Sequence, residues 1–98
     1  MLPKINPTST QAWFLLKKHY EDEMNRAHMR KLFAADADRF KKFSVRFEDI
    51  LFDYSKNIIN DKTLHLLQQL ATECKLTEAV HAMFAGLRIN ETENRAVL

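Results

Sequence analysis

Glycine is nearly absent from this 98-residue chain, with Gly86 as its single example, and cysteine is as rare, with Cys74 alone. One glycine excludes the loops that cradle phosphates, which need several backbone positions without a Cβ. One cysteine excludes a disulfide framework and any cysteine-built zinc site, and it suits a reducing, cytoplasmic setting. No apolar run approaches the ~20 residues of a membrane span, and the N-terminus does not read as a signal peptide, so no membrane partner is expected. An excess of one charge sign is also missing: 15 Lys and Arg stand against 13 Asp and Glu, a formal net charge of +2. What is present is 46% hydrophobic and 29% charged, with seven phenylalanines. That is the composition of a folded chain rather than a disordered tail, and the length allows one small domain at most.

The periodicity predicts a mainly α chain with one short β-hairpin. Asn6-Pro7 marks a turn, and Thr8 stands three residues before Gln11, the spacing of a capping box. Ala12, Trp13, Leu16 and Tyr20 follow at helical spacing on a first helix that ends in Glu21-Asp22-Glu23. A second helix is expected from about Arg26 to Ala35, with Met29, Leu32 and Phe33 as its apolar side. Asp36 and Asp38 break it or cap a further turn through Phe40. The period then changes to two. Phe43, Val45 and Phe47, then Ile50, Phe52 and Tyr54, alternate as half-buried strands would, with Glu48-Asp49 as a tip that lacks the usual glycine. Asn60-Asp61 can cap a third helix striped by Leu64, Leu67, Leu70, Ala71 and Cys74. Thr77 can cap a fourth, carrying Val80, Met83 and Phe84, and Gly86 can end it in the left-handed conformation. No repeat or flexible linker divides the chain.

Little of this reads as chemistry. His19, His28, His65 and His81 include no pair at i, i+4, so no helix face grips a metal through two of them. His65 and His81 fall on the flanks of their apolar stripes. Cys74 lies on a stripe with nothing nearby to lower its pKa, and reads as a small buried hydrophobe. Thr8-Ser9-Thr10 at a helix start could meet a phosphate, but a plain N-cap explains it equally well. Asn90-Glu91-Thr92 fits the glycosylation triplet with no other sign of secretion. Seven of the Lys and Arg residues lie between Arg26 and Arg46, interleaved with Phe40, Phe43 and Phe47. This resembles a stacking surface for single-stranded nucleic acid, yet solvated charges over a phenylalanine core give the same pattern, and the small net charge favours that plainer account. No catalytic, cofactor-binding or metal-binding residue is assigned.

Two stretches are more specific. Phe52-Asp53-Tyr54-Ser55-Lys56-Asn57, following Arg39-Phe40-x-x-Phe43-Ser44, resembles the D-Y-S-K-N motif near the start of glucose-6-phosphate isomerases. Met83-Phe84-x-Gly86 with Ile89-Asn90-x-Thr92-Glu93-Asn94-Arg95-Ala96-Val97-Leu98 is similar to a second motif of that family, and Ile5-Asn6-Pro7-Thr8 with Trp13 to its bacterial members. The resemblance covers essentially residues 1–98 and implies a helical N-terminal segment cut inside a motif, from a homodimeric parent with two parallel-sheet sugar isomerase domains. The reaction it implies interconverts glucose 6-phosphate and fructose 6-phosphate without metal or organic cofactor. A Glu carboxylate would move a proton between C1 and C2 through a cis-enediol. The family's catalytic residues and phosphate loop belong to later sequence, so none is carried onto this chain, and the piece is expected to be inactive alone. Arg95 is expected to pair structurally with a carboxylate or with backbone carbonyls. An incomplete subunit should also leave apolar side chains exposed among Trp13, Phe47, Phe52, Val97 and Leu98. The competing expectation is a self-contained helical module binding nucleic acid through Arg26–Arg46.

Overall fold

Residues 2–97 are described by a computed structural model of the chain. The Asn6 side chain accepts from the Thr8 backbone amide and caps a 3-10 turn at Pro7–Ser9. The first α-helix, α1 (Gln11–Asp22), therefore begins two residues later than a Thr8 cap would place it, and Thr10 takes the role, its hydroxyl accepting from Trp13 N–H at 3.1 Å. The Thr8 hydroxyl instead bonds Asn6. A second 3-10 turn (Met24–Arg26) and an extended His28 delay the next helix to α2 (Met29–Ala35), three residues after the expected start. The further turn after Asp36 is present as α3 (Arg39–Lys42).

The hairpin forms from β1 (Ser44–Phe47) and β2 (Ile50–Asp53), antiparallel with Val45 opposite Phe52 and Phe47 opposite Ile50. Its tip is Glu48-Asp49, and Glu48 itself supplies the positive φ of 52° that a glycine would adopt more cheaply. The strands are not half-buried as the alternation suggested: every residue from Val45 to Asp53 is exposed, because no other element covers either face.

Helix α4 (Asp61–Glu73) starts from a capping box in which Asn60 Oδ1 accepts from Thr63 N–H and Thr63 Oγ accepts from Asn60 N–H. Helix α5 (Leu76–Phe84) follows a left-handed Lys75 with φ 57°, so it opens ahead of Thr77, which does not cap it. Gly86 then ends the helical run with φ 73°.

Helices α1 and α4 pack antiparallel and hold the small core. Ala12 is fully buried at one end, where its amide donates to Glu73 Oε2 at 2.8 Å; this carboxylate satisfies a free first-turn N–H and sits at the positive end of the helix dipole. His19 meets Thr63 at the other end. The buried stripe of α1 thus runs Ala12–His19, leaving Trp13 and Tyr20 exposed, and α4 buries Leu66 rather than Leu67. The α5 side chains also depart from expectation, with Ala82 buried while Val80 and Phe84 are exposed.

The apolar core is otherwise thin: Met24 and Phe43 join Ala12, Leu66 and Ala82. The chain measures 50 × 37 × 18 Å with a radius of gyration of 17.1 Å, against about 13 Å for a self-contained domain of this length. Of the apolar side chains expected to be exposed, Trp13, Phe47, Phe52 and Val97 are so, whereas Leu98 lies outside the described residues.

Candidate functional site

The densest polar cluster is built where β2 ends. Asp53 Oδ1 accepts from the Ser55 amide at 2.9 Å and from its hydroxyl at 2.6 Å, bending the chain sharply out of the strand. Those two donors hold the Asp53 carboxyl below its ordinary pKa. Asn57 closes the loop on the Tyr54 carbonyl through its backbone amide and through Nδ2. Tyr54 stacks between Phe43 and Phe52, with ring centroids 5.9 and 5.5 Å away. Lys56 points to solvent.

Arg39 fixes this loop from behind. It is 3% exposed and donates from Nε to Ser55 O at 3.0 Å, from one terminal nitrogen to Ile59 O at 2.8 Å and from the other to Asn57 O at 2.7 Å. Its guanidinium carbon also lies 5.3 Å from the Phe33 ring centre and 4.9 Å from that of Phe43. A planar fork of donors, desolvated between two aromatic faces, is suited to gathering three carbonyls that turn inward together. Arg39 is thus taken out of the basic cluster of 26–46. Lys42 is engaged as well, 2.7 Å from Asp36 and 2.8 Å from Asp61. Its hydrogen bonds to these carboxylates raise its pKa, and the one to Asp36 leads in lowering the Asp36 carboxyl. Of the interleaved phenylalanines, Phe43 is buried while Phe40 and Phe47 are exposed. The cluster is therefore divided between internal scaffolding and solvent.

The second cluster joins α1 to α4. His19, 3% exposed, places Nε2 2.6 Å from Thr63 Oγ. Glu23 Oε2 stands 2.6 Å from Nδ1, although Nδ1 makes no well-aligned hydrogen bond. Carboxylate, imidazole and hydroxyl in a row have the order of a nucleophilic triad. Here the hydroxyl is locked into the capping box with Asn60 and is buried against the helix pair. The arrangement is a clamp between helices, and the Ala12, His19 and Glu23 spacing on one face was its signal in the sequence.

The remaining candidates are dispersed. His28, His65 and His81 are exposed, the latter two as their flanking positions predicted. Cys74, half-buried rather than fully so, sits at the C-cap of α4. Among the described residues, no group of three or more His, Cys, Asp or Glu is placed to hold a metal ion. No helix of the described chain is long and apolar enough to cross a membrane. Thr10 acts as a plain cap, and Asn90 is occupied within its own turn, accepting from Thr92 Oγ at 2.8 Å and from Glu93 N–H at 3.3 Å. A bridge between Asn90 and Arg95 closes that turn, and Arg95 pairs with Glu93 and contacts the Ala96 carbonyl, in keeping with a structural task.

The two motif stretches are therefore two folded loops, Asp53–Asn57 braced by Arg39 and Asn90–Arg95 closed on itself. The family model for phosphoglucose isomerase matches residues 53–98, beginning at the aspartate of the first loop and running through the second. Over this stretch the chain is similar to the phosphoglucose isomerase family.

Proposed function

We propose that this chain is the N-terminal scaffold segment of a cytoplasmic, homodimeric glucose-6-phosphate isomerase, and that it turns over no substrate alone. The parent reaction interconverts glucose 6-phosphate and fructose 6-phosphate. A glutamate outside this segment carries the proton between C1 and C2 through a cis-enediol, and donors positioned around the developing oxyanion lower the barrier. The single observation that carries the reading is the family match over residues 53–98, which spans both motif loops. The local chemistry supports it. Arg39 grips backbone carbonyls, Thr63 completes a helix cap, Glu73 holds a helix start and Asp53 a turn, so the best-positioned polar groups are already engaged in holding elements together. The test is a coupled assay for glucose 6-phosphate formed from fructose 6-phosphate. Residues 1–98 alone should give the buffer rate, and activity should appear when they are joined to the isomerase domains of a family member lacking its own N-terminal segment. Turnover by residues 1–98 alone, or an inactive well-folded chimera, would overturn the proposal.

A further inference from the structure

The polar row between α1 and α4 contains one more acceptor contact than a single set of protons can serve. Thr63 Oγ accepts from the Asn60 amide at 3.1 Å, and it lies 3.0 Å from Asn60 Oδ1 and 2.6 Å from His19 Nε2. Its one hydroxyl proton can be donated to only one of the last two. Across the ring, Glu23 Oε2 stands 2.6 Å from Nδ1 without the alignment of a good hydrogen bond. A bare nitrogen lone pair so close to a carboxylate oxygen is repulsive, so Nδ1 carries a proton. With a neutral ring, Nε2 is then an acceptor, and the Thr63 hydroxyl must face it and leave Asn60 Oδ1. With an imidazolium, Nε2 donates to Thr63 and the hydroxyl is free to turn to Asn60. Only the second state makes every contact in the row a donor–acceptor pair.

The surroundings of the ring decide which groups govern that choice. From its own helix end it faces the Glu23 carboxylate, and from α4 comes Lys62, whose Nζ lies 3.9 Å from the same Glu23 oxygen. Asp61, also on α4, is engaged by Lys42. Of the 3-10 turns packed on α1, Pro7–Ser9 brings no charged side chain, and Met24–Arg26 brings Arg26, which makes no ion pair among the described residues. His19 lies in the last turn of α1, where free carbonyls favour a cation, while Thr63 lies in the first turn of α4, where free amides oppose one. The two helix ends offset each other, and the burial of the ring works against charge. Glu23 is therefore the group that tips the row toward the imidazolium, and a Coulombic contact tolerates the poor alignment that a neutral hydrogen bond does not.

We propose that His19 is a proton-operated latch between α1 and α4: a second proton on the ring, held against Glu23, turns the Thr63 hydroxyl onto Asn60 Oδ1, so that the helix contact and the α4 cap tighten together, and loss of that proton loosens both. The protonated row is the better satisfied one, so the contact is strongest on the acid side of the histidine titration and weakens as pH rises through it. Protonation of Glu23 at more acid pH removes the partner and ends the effect. The experiment is a nitrogen-15 NMR titration of the His19 ring in residues 1–98 from about pH 5 to pH 8.5, the span over which histidine titrates, with amide protection factors measured at each pH. The amides to follow are those of Glu23, bonded to His19 O, and of Thr63 and Leu64, bonded to Asn60. Their protection should fall about fivefold in step with the ring signals, the gain of one charge-assisted over one neutral hydrogen bond, and the neutral ring should hold its proton on Nδ1. Protection at Tyr54 and Ile59, in the other half of the chain, should stay flat. Glu23→Gln keeps the shape without the charge and should abolish the pH dependence with helix content unchanged, while Lys62→Met removes the competing cation and should strengthen it. Flat protection at Thr63 and Leu64 while the ring titrates would overturn the latch, and so would a pH dependence that survives in Glu23→Gln. A neutral ring protonated on Nε2 would overturn it as well, because the Thr63 hydroxyl would then have nothing to turn from. Four histidines titrating alike in a chain without protected amides would be equally fatal to it.

Discussion

Replacing Arg39 is the most informative single perturbation of this fold. Its three donors reach the carbonyls of Ser55, Asn57 and Ile59 at 3.0, 2.7 and 2.8 Å. Hydrogen bonds from a charged donor contribute roughly 1.5–3 kcal/mol each, and the cost of burying the guanidinium offsets part of their sum. A net loss of about 3 kcal/mol on Arg39→Met follows, since the carbonyls would be left facing an apolar side chain. Lysine does not rescue this, because a single ammonium cannot replace a planar fork that spans three acceptors. The assay is native-state amide exchange at Tyr54, Asn57 and Ile59, whose N–H groups bond the carbonyls of Phe43, Tyr54 and Asn57. Both variants should speed exchange there by roughly 100-fold, while Glu23 N–H, bonded to His19 O in the other half of the chain, should change far less. Acceleration below about tenfold at the three loop amides would refute the reasoning.

Other consequences can be checked alongside. Glu73→Ala removes the carboxylate that holds the Ala12 amide, and should lower the urea unfolding free energy by about 1.5–2 kcal/mol, with Glu73→Gln losing less. The lowered Asp53 carboxyl contributes stability above its unfolded value of 3.8 and loses it as pH falls through the lower folded value; an acid titration should lose that component in Asp53→Asn. The Lys42–Asp36 bridge is fully effective between pH 3.8 and 10.5. It is lost on the acid side as Asp36 protonates and on the alkaline side as pH rises through the raised Lys42 value, so Lys42→Met should flatten both limbs. Glu48→Gly relieves a left-handed backbone and should stabilise the hairpin by about 1 kcal/mol, seen as slower exchange across β1 and β2.

Much of the local structure was legible because it depends on neighbours in sequence. Asn60-Asp61 announced α4, Glu48-Asp49 the hairpin tip and Gly86 the helix stop. The misplaced caps share a cause. Asn6 starts a short 3-10 turn that displaces the α1 start to Thr10, and Lys75 adopts a left-handed conformation that nothing in a lysine announces. Burial was harder to read. Tyr20 and Phe84 looked like core and are exposed, while Arg39, read among the solvated charges of 26–46, is buried, as is His19, whose burial the spacing left unassigned. Apolar spacing shows that a face will be covered, but not which neighbour covers it, and Arg39 is drawn inside by three backbone carbonyls whose direction no side-chain pattern encodes. The D-Y-S-K-N stretch could be read as a motif, but its physical content, a turn on Asp53 braced by a distant guanidinium, needed the fold.

If residues 1–98 are scaffold, as proposed, their side chains hold elements in place and carry no step of the sugar chemistry. Isotope exchange tests it with more sensitivity than turnover, because enolisation of a sugar phosphate leaves deuterium on carbon even when no product accumulates. Residues 1–98 at high concentration in deuterated buffer with fructose 6-phosphate should label C1 no faster than buffer. Labelling above that background, abolished by changing His19, Glu23 or Thr63, would contradict the claim.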